Sequence, residues 1–244
     1  MKTVIITGCN RGLGRMILES FCKEGYRIIV LNRKQYPGFD FDLEKLRNEY
    51  SADINVFYAD FTSKEAIDHA MDQIESLEFN IDVLVNNAGI NNSTKPIFNT
   101  NYEEVESSLR INYLAPFEIT KRVASIMIHQ GSGSIINISS TVSINVDMAE
   151  SSYGASKAAL NLFTKSIAQE LAPFNIRVNA IACGVINTDM FNTFDEKIKK
   201  KALKRIAFKR PAELNEITNV VLFLSSENAT YITGAIIPVD GGFA

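Results

Sequence analysis

Residues 3–22 read TVIITGCNRGLGRMILESFC. A β-branched apolar run passes into a turn with glycines at 8, 12 and 14, and the turn passes directly into a helical period. The run fits a strand covered on both faces. Glycines let the backbone turn tightly and approach a pyrophosphate, and a helix starting there offers free N–H groups and the positive end of its dipole. The spacing is GxxxGxG rather than GxGxxG. A turn of this kind can be only a tight connection, but its place between first strand and helix makes cofactor binding the better reading. Gly8, Asn10, Arg11, Gly12, Leu13 and Gly14 are its candidate contacts.

The same alternation continues down the chain. Further strand candidates are RIIVLN (27–32), INVFYA (54–59), IDVLVN (81–86), SIINIS (134–139), IRVNAIA (176–182) and AIIPVD (235–240). Between them lie helical periods. Residues 65–78 place Ile67, Ala70, Met71, Ile74 and Leu77 on one face, with Thr62 and Glu65 spaced as a capping box. The expectation is an α/β fold, a single Rossmann-type domain over residues 1–244. About seven strands form a doubly wound parallel sheet, with helices on both faces and right-handed crossovers. In such a sheet the ligand sits beyond the carboxyl ends of the strands, so the residues that follow each strand carry the chemistry.

After strand two comes Asn32-Arg33-Lys34, with no carboxylate to accept from a ribose 2′-hydroxyl. Arg33 and Arg11 offer two cations there, which fits a 2′-phosphate and predicts NADP(H) over NAD(H). The plain alternative is that Arg33 and Lys34 are solvated surface charges. After strand three, Asp60 could accept from an adenine amine while Phe61 covers its edge; Asp60 could equally be a helix N-terminal charge near Thr62. After strand four, small Ala88 and Gly89 in Asn86-Asn87-Ala88-Gly89 would let a ribose approach the backbone. Asn112 lies in a helical stretch, where an amide can bond back to its own helix. Strand five ends at Ser139-Ser140. Tyr153 and Lys157 stand four apart on a predicted helix, hence on one face. An ammonium beside a phenol would lower the phenol pKa from its usual ~10 and make it a proton donor or acceptor at a carbonyl.

Composition narrows the field. The charged residues, 25 basic and 28 acidic, leave a net charge of −3, which gives no nucleic-acid signature. Cys9, Cys22 and Cys183 form no metal spacing and fit a reducing, cytoplasmic setting. No apolar run approaches the ~18–20 residues that span a bilayer, and VII near the start is too short for a signal peptide's apolar region of ~7–15 residues. Neither His69 nor His129 falls in a motif, and both read as surface residues.

Thr7-GCNRGLG, Asp60, Asn86-Asn87-Ala88-Gly89, Asn112, Ser140, Tyr153-GAS-Lys157 and the tail YITGAIIPVDGG from Tyr231 fall in order over nearly the whole length. Together they resemble the short-chain dehydrogenase/reductase family, and within it the 3-oxoacyl-[acyl-carrier-protein] reductases. The resemblance implies a hydride transfer between NADP(H) and a C=O/CH–OH group. Tyr153 would be the general acid. Lys157 would lower the Tyr153 pKa and hold the nicotinamide ribose. Ser140 would bind the substrate oxygen, and Asn112 would hold a water leading from Lys157 to solvent. It also implies that Asn87 and Ala88 line the cofactor ribose, that Ile186 and Thr188 contact the nicotinamide carboxamide with Gly184 beside them, and that the chain forms a homotetramer or at least a homodimer. One departure is Cys183-Gly184, where relatives usually have Pro-Gly; no base in the sequence makes Cys183 catalytic.

Substrate choice is expected in two segments that the motifs leave free, Thr141–Ser152 and Met190–Pro211. Residues 195–210 read DEKIKKKALKRIAFKR, either an amphipathic surface helix (Ile198, Ala202 and Ile206 on one face) or a lid whose cations attract an acidic carrier. Against the carrier, Gln130-Gly131-Ser132-Gly133 and Pro173-Phe174-Asn175 lack the cations common in fatty-acid reductases. A sugar, polyol or other small ketone is therefore the alternative substrate. A non-catalytic dinucleotide sensor is a third reading, and Asn112, Ser140, Tyr153 and Lys157 argue against it.

Overall fold

The computed structural model describes residues 1–91, 95–145, 147–188, 191 and 195–243, apart from the side chain of Ile198. Met190, at the head of the second specificity segment, and Val146, inside the first, lie outside them.

Seven strands form one parallel sheet: β1 (Thr3–Thr7), β2 (Arg27–Asn32), β3 (Ile54–Tyr58), β4 (Val83–Asn86), β5 (Gly133–Ser140), β6 (Ile176–Cys183) and β7 (Ile236–Val239). Their order is β3-β2-β1-β4-β5-β6-β7. The order reverses between β1 and β4, which places the ligand crevice at the carboxyl ends of those two strands. The α-helices among the described residues are α1 (Gly12–Lys23), α2 (Phe39–Tyr50), α3 (Lys64–Glu75), α4 (Tyr102–Leu109), α5 (Ala115–Gln130), α6 (Ser151–Leu171), α7 (Glu196–Arg205) and α8 (Leu214–Ser225).

The continuous apolar runs are explained by cover on both faces. Val4, Ile6, Ile28 and Val30 pack on one side with Ile17 and Phe21 of α1 and Ile217 and Val221 of α8. Ile5, Ile29 and Leu31 pack on the other with Ile67 and Met71 of α3 and Ile119 and Val123 of α5. Fully burying one such side chain contributes roughly 1.5–3 kcal/mol, so the sheet register is strongly specified.

A polar network connects the sheet to the helices. Asn86 donates to Thr120 Oγ1 of α5 (2.9 Å) and to Asn137 Oδ1 of β5 (2.8 Å), and Asn137 donates to Thr164 Oγ1 of α6 (2.8 Å). Between α4 and α5 the chain makes one π-turn, Arg110–Leu114, which carries Asn112 at zero exposure. The start of α3 differs from the sequence expectation. Its cap is Ser63, which accepts from Ala66 N (3.1 Å), because Thr62 is already bonded through N and Oγ1 to Asp60.

Candidate active site

The crevice is built by tying two strand ends together. Thr7 Oγ1 accepts from the backbone N–H of Asn87 (3.0 Å) and of Ala88 (2.9 Å), while Asn87 Nδ2 donates to the carbonyls of Thr7 and Gly8, 2.9 Å each. The first turn of α1 then packs onto this floor. A Cβ at Gly14 would lie 2.0 Å from the Gly8 carbonyl oxygen, so no other residue fits. Gly12 has φ +56°, in the left-handed region, and a Cβ there would meet nothing within 4 Å. It faces open space where a ligand can approach the backbone. Arg11, the residue before α1, gives no side-chain cap, so the first N–H groups of the helix remain for a ligand.

A groove of about 610 Å³ runs over this floor. It takes in Gly8, Asn10, Arg11, Gly12, Leu13, Gly14, Asn32, Arg33, Phe61, Asn87, Ala88, Gly89 and Thr188. Sequence reasoning missed Ile90 and Ile111, which also line it. The available signal was adjacency, since each flanks a motif residue. A separate cleft of about 740 Å³ lies between the C-terminal ends of α3 and α5, lined in part by Glu75, Arg122 and His129. It sits at the amino ends of the strands and holds none of the candidate residues.

Several candidates have other partners. Asn32 lines the groove, but its Oδ1 accepts from Cys9 N (2.7 Å) and its Nδ2 donates to Asn10 Oδ1 (2.7 Å), so its amide braces the glycine turn. Asp60 Oδ1 accepts from Thr62 N (2.9 Å) and Oγ1 (2.8 Å), and these bonds hold its carboxyl below the usual range. This is the helix-start alternative, and Asp60 is not in the groove lining. Gly184 and Ile186 are not in the lining either. A Cβ at Gly184 would lie 2.7 Å from Asp240 Cα, so the passing C-terminal segment dictates this glycine. Ile186 pairs with Ala212 in an isolated bridge.

None of the four catalytic candidates is in the groove lining, but Lys157 and Asn112 stand directly behind its residue Gly89. Lys157 is 4% exposed, and its Nζ donates to the Ile138 carbonyl of β5 at 2.8 Å. A Cβ on groove residue Gly89 would stand 3.2 Å from Lys157 Nζ and 3.1 Å from Asn112 Oδ1. An ammonium has three donors, so two remain to Lys157 on the groove side. Ser140 stands beside Tyr153, close enough for its hydroxyl to favour the phenolate form. Asn112 Oδ1 accepts from Ile90 N (2.8 Å), and its Nδ2 donates to Ile90 O and Ser156 Oγ, both 2.9 Å. Its amide thus clamps the loop after β4 to α6 rather than bonding back to its own helix.

The electrostatics correct one expectation. Burial pushes the Tyr153 phenol up to about 12, against the opposing effect of the Ser140 hydroxyl, and Lys157 does not pull it down. The ammonium lies 5.9 Å from the ring centroid and gives one of its donors to the Ile138 carbonyl. Burial also pulls Lys157 down to about 8. The phenol is therefore a protonated donor at neutral pH, the form that reduction of a carbonyl needs. Cys183 is buried and its thiol is pushed up to about 12, which keeps it uncharged and a poor nucleophile. His69 and His129 are exposed on α3 and α5.

Fold and site together define an α/β oxidoreductase that binds a nicotinamide dinucleotide. A family model described as enoyl-(acyl carrier protein) reductase matches residues 8–244. Among curated proteins, the chain is 38% identical to 3-oxoacyl-[acyl-carrier-protein] reductase FabG of Aquifex aeolicus, covering 99% of this chain and 96% of that protein. It is 37% identical to 3alpha-hydroxysteroid dehydrogenase of Mediterraneibacter gnavus, covering 98% and 96%. The solved structure of gox2181 superposes with a TM-score of 0.93 at 29% identity, covering 99% of this chain and 95% of that one. The chain belongs to the short-chain dehydrogenase/reductase family and is an oxidoreductase of the CH–OH/C=O pair.

The lowered Lys157 pKa has a kinetic consequence. Its ammonium is lost as pH rises through about 8 instead of the ordinary 10.5. Because kcat/KM for the cofactor reports groups of the free enzyme, that parameter should fall above about pH 8 in the direction of reduction. A profile flat to pH 9.5 would contradict the assignment.

Proposed function

We propose that this protein is an NADPH-dependent reductase of a 3-oxoacyl or closely related ketone, with Tyr153 as general acid. The observation that carries the reading is Ser140 beside Tyr153, with buried Lys157 one turn on behind Gly89, a lining residue of the groove floored by the glycine turn. Gly8 to Gly14, Asn87, Ala88 and Thr188 would hold the dinucleotide. When bound, it supplies the hydride that reaches the carbonyl carbon. Tyr153 Oη gives its proton to the substrate oxygen while Ser140 Oγ donates a hydrogen bond to the same atom. Each such donor is commonly worth about 3 kcal/mol of barrier. Lys157 offers its two remaining N–H donors to the nicotinamide ribose hydroxyls. With its amide clamped to Ile90 and Ser156, Asn112 serves the proton route through the widened backbone of its π-turn, where a water can bond.

NADP(H) preference rests on Arg11 and Arg33. Both are exposed groove residues, and among the described residues neither has a carboxylate within salt-bridge distance. The three cysteines are free, in keeping with a reducing cytoplasm. Association into a dimer or tetramer is supported by an apolar face on α5 and α6. Leu162 is 71% exposed there, and next to it in the chain Phe163 meets the Tyr113 ring edge-on and the Phe117 ring at a tilt. Such a face suits a second copy of the chain.

The substrate class rests on the relatives' activity and on α7. Lys197, Lys200, Lys201 and Lys204 of this helix are exposed, and Asp147–Arg205 ties the helix to the other specificity segment. An acidic acyl carrier suits such a surface. The hydroxysteroid relative, nearly as similar, favours a second reading in which a bulkier ring ketone is reduced.

Oxoacyl thioesters, sugar-derived ketones, small diketones and a 3-oxosteroid, assayed with NADPH, separate these readings; turnover confined to the last three classes would overturn the oxoacyl assignment. Replacing Arg33 by Ala should cut the preference for NADPH over NADH by about ten-fold or more, the worth of a charge-assisted hydrogen bond. An unmoved preference would refute the cofactor proposal. Neutralising Lys200 and Lys204 together should raise KM for a carrier-linked substrate and flatten its salt dependence. If both stay as in the parent enzyme, α7 does not receive a carrier.

A further inference from the structure

The face of α6 that carries Tyr153 and Lys157 continues, four residues on, to Asn161, which is 8% exposed. Its Nδ2 donates to Ser143 Oγ at 2.7 Å. Ser143 closes the short 3₁₀ turn Thr141–Ser143 that follows Ser140 directly. The Ser143 hydroxyl donates to the backbone carbonyl of Ser140 and contacts Ser139 Oγ at 3.3 Å. A hydroxyl has one proton and two lone pairs. The Ser140 carbonyl can only accept, so it takes the proton of Ser143. Ser139 must then be the donor at 3.3 Å, and Ser143 is saturated. At the other end of the turn, Ser140 Oγ accepts from Val142 N at 3.3 Å.

We propose that Asn161 and Ser143 are positioning residues for Ser140: together they brace the end of β5 against the helix that carries Tyr153. This rests on the reading above, in which Ser140 and Tyr153 share the substrate oxygen. Tyr153 and Asn161 stand eight residues apart on one rigid helix. Fixing the Ser140 backbone to Asn161 therefore fixes the spacing of the Ser140 hydroxyl from the Tyr153 phenol. Reaction at a shared oxygen tolerates little misplacement of its donors.

Stability does not account for an amide at this position. Among the described residues, the buried Asn161 Oδ1 has no hydrogen-bond partner. An unmet buried acceptor is unfavourable, and a leucine of similar size would remove it. What the amide supplies is the N–H on Ser143.

The test is a double-mutant cycle on the full-length enzyme, using an acetoacetyl thioester or the ketone of the panel turned over fastest. Asn161→Leu should lower kcat about ten-fold, with KM and the NADPH dissociation constant within two-fold of the parent and thermal stability equal or higher. Ser143→Ala should give the same loss from the other side of the bond, so a folding defect in one variant leaves the other to decide. In a Ser140→Ala background, Asn161→Leu should cost nothing further. An unchanged kcat in both single variants overturns the proposal, as does a full additional loss without the Ser140 hydroxyl. If Ser140→Ala alone keeps full turnover, the reading beneath the proposal has failed, and the proposal with it.

Discussion

The site depends on a buried cation held by one backbone carbonyl. Lys157 Nζ sits under α6 with the Ile138 carbonyl of β5 at 2.8 Å. Gly89 of the groove lining and the Asn112 amide stand close to it. Removing an ammonium from water is costly, which is why its pKa is pulled down to about 8. A protein carries such a group where a fixed positive charge is needed at one point. Here it pins α6 to the sheet at the residue one turn beyond Tyr153, and thereby sets where the phenol stands relative to Ser140 at the strand end.

The groove obeys the same logic of backbone fixed from several sides. Thr7 and Asn87 lock the ends of β1 and β4 at the point where the strand order reverses. Gly14 admits the helix onto that floor, and Asn10 with Asn32 holds the glycine turn against β2. The loop after β4 is anchored twice, by Thr7 at its start and by Asn112 at Ile90. Little is left for a cofactor to organise. The ordering entropy of these loops is met in folding rather than at binding, which is what preorganisation means for affinity and rate.

Much of this was legible in the chain because parallel strands covered on both faces leave continuous apolar runs. β1 and β2 have the bounds that TVIIT and RIIVLN suggest, and the other strands differ by one or two residues at one or both ends. The glycine turn was legible because few residues besides glycine tolerate its geometry. Side-chain partners were less so, since they are chosen through space. Asp60 faces Thr62, Gly184 makes room for Asp240, and the α3 cap falls on Ser63 because Thr62 is occupied. The i, i+4 spacing of Tyr153 and Lys157 placed both on one face, yet it could not reveal that the Ile138 carbonyl would take the ammonium. Nor could it reveal that burial would leave the phenol protonated. The Asn161–Ser143 brace joins residues eighteen apart that no motif links.

The central claim is that the Tyr153 phenol is the proton donor and not a packing group. Single-turnover NADPH oxidation by Tyr153→Phe, measured beside NADPH binding by fluorescence, tests it most directly. The change removes one oxygen at a half-buried position and leaves the ring, so the groove should persist. The account predicts a turnover rate lower by roughly 10²–10⁴, the usual worth of a general acid, with the NADPH dissociation constant unchanged within about two-fold. Turnover within ten-fold of the parent enzyme would contradict it.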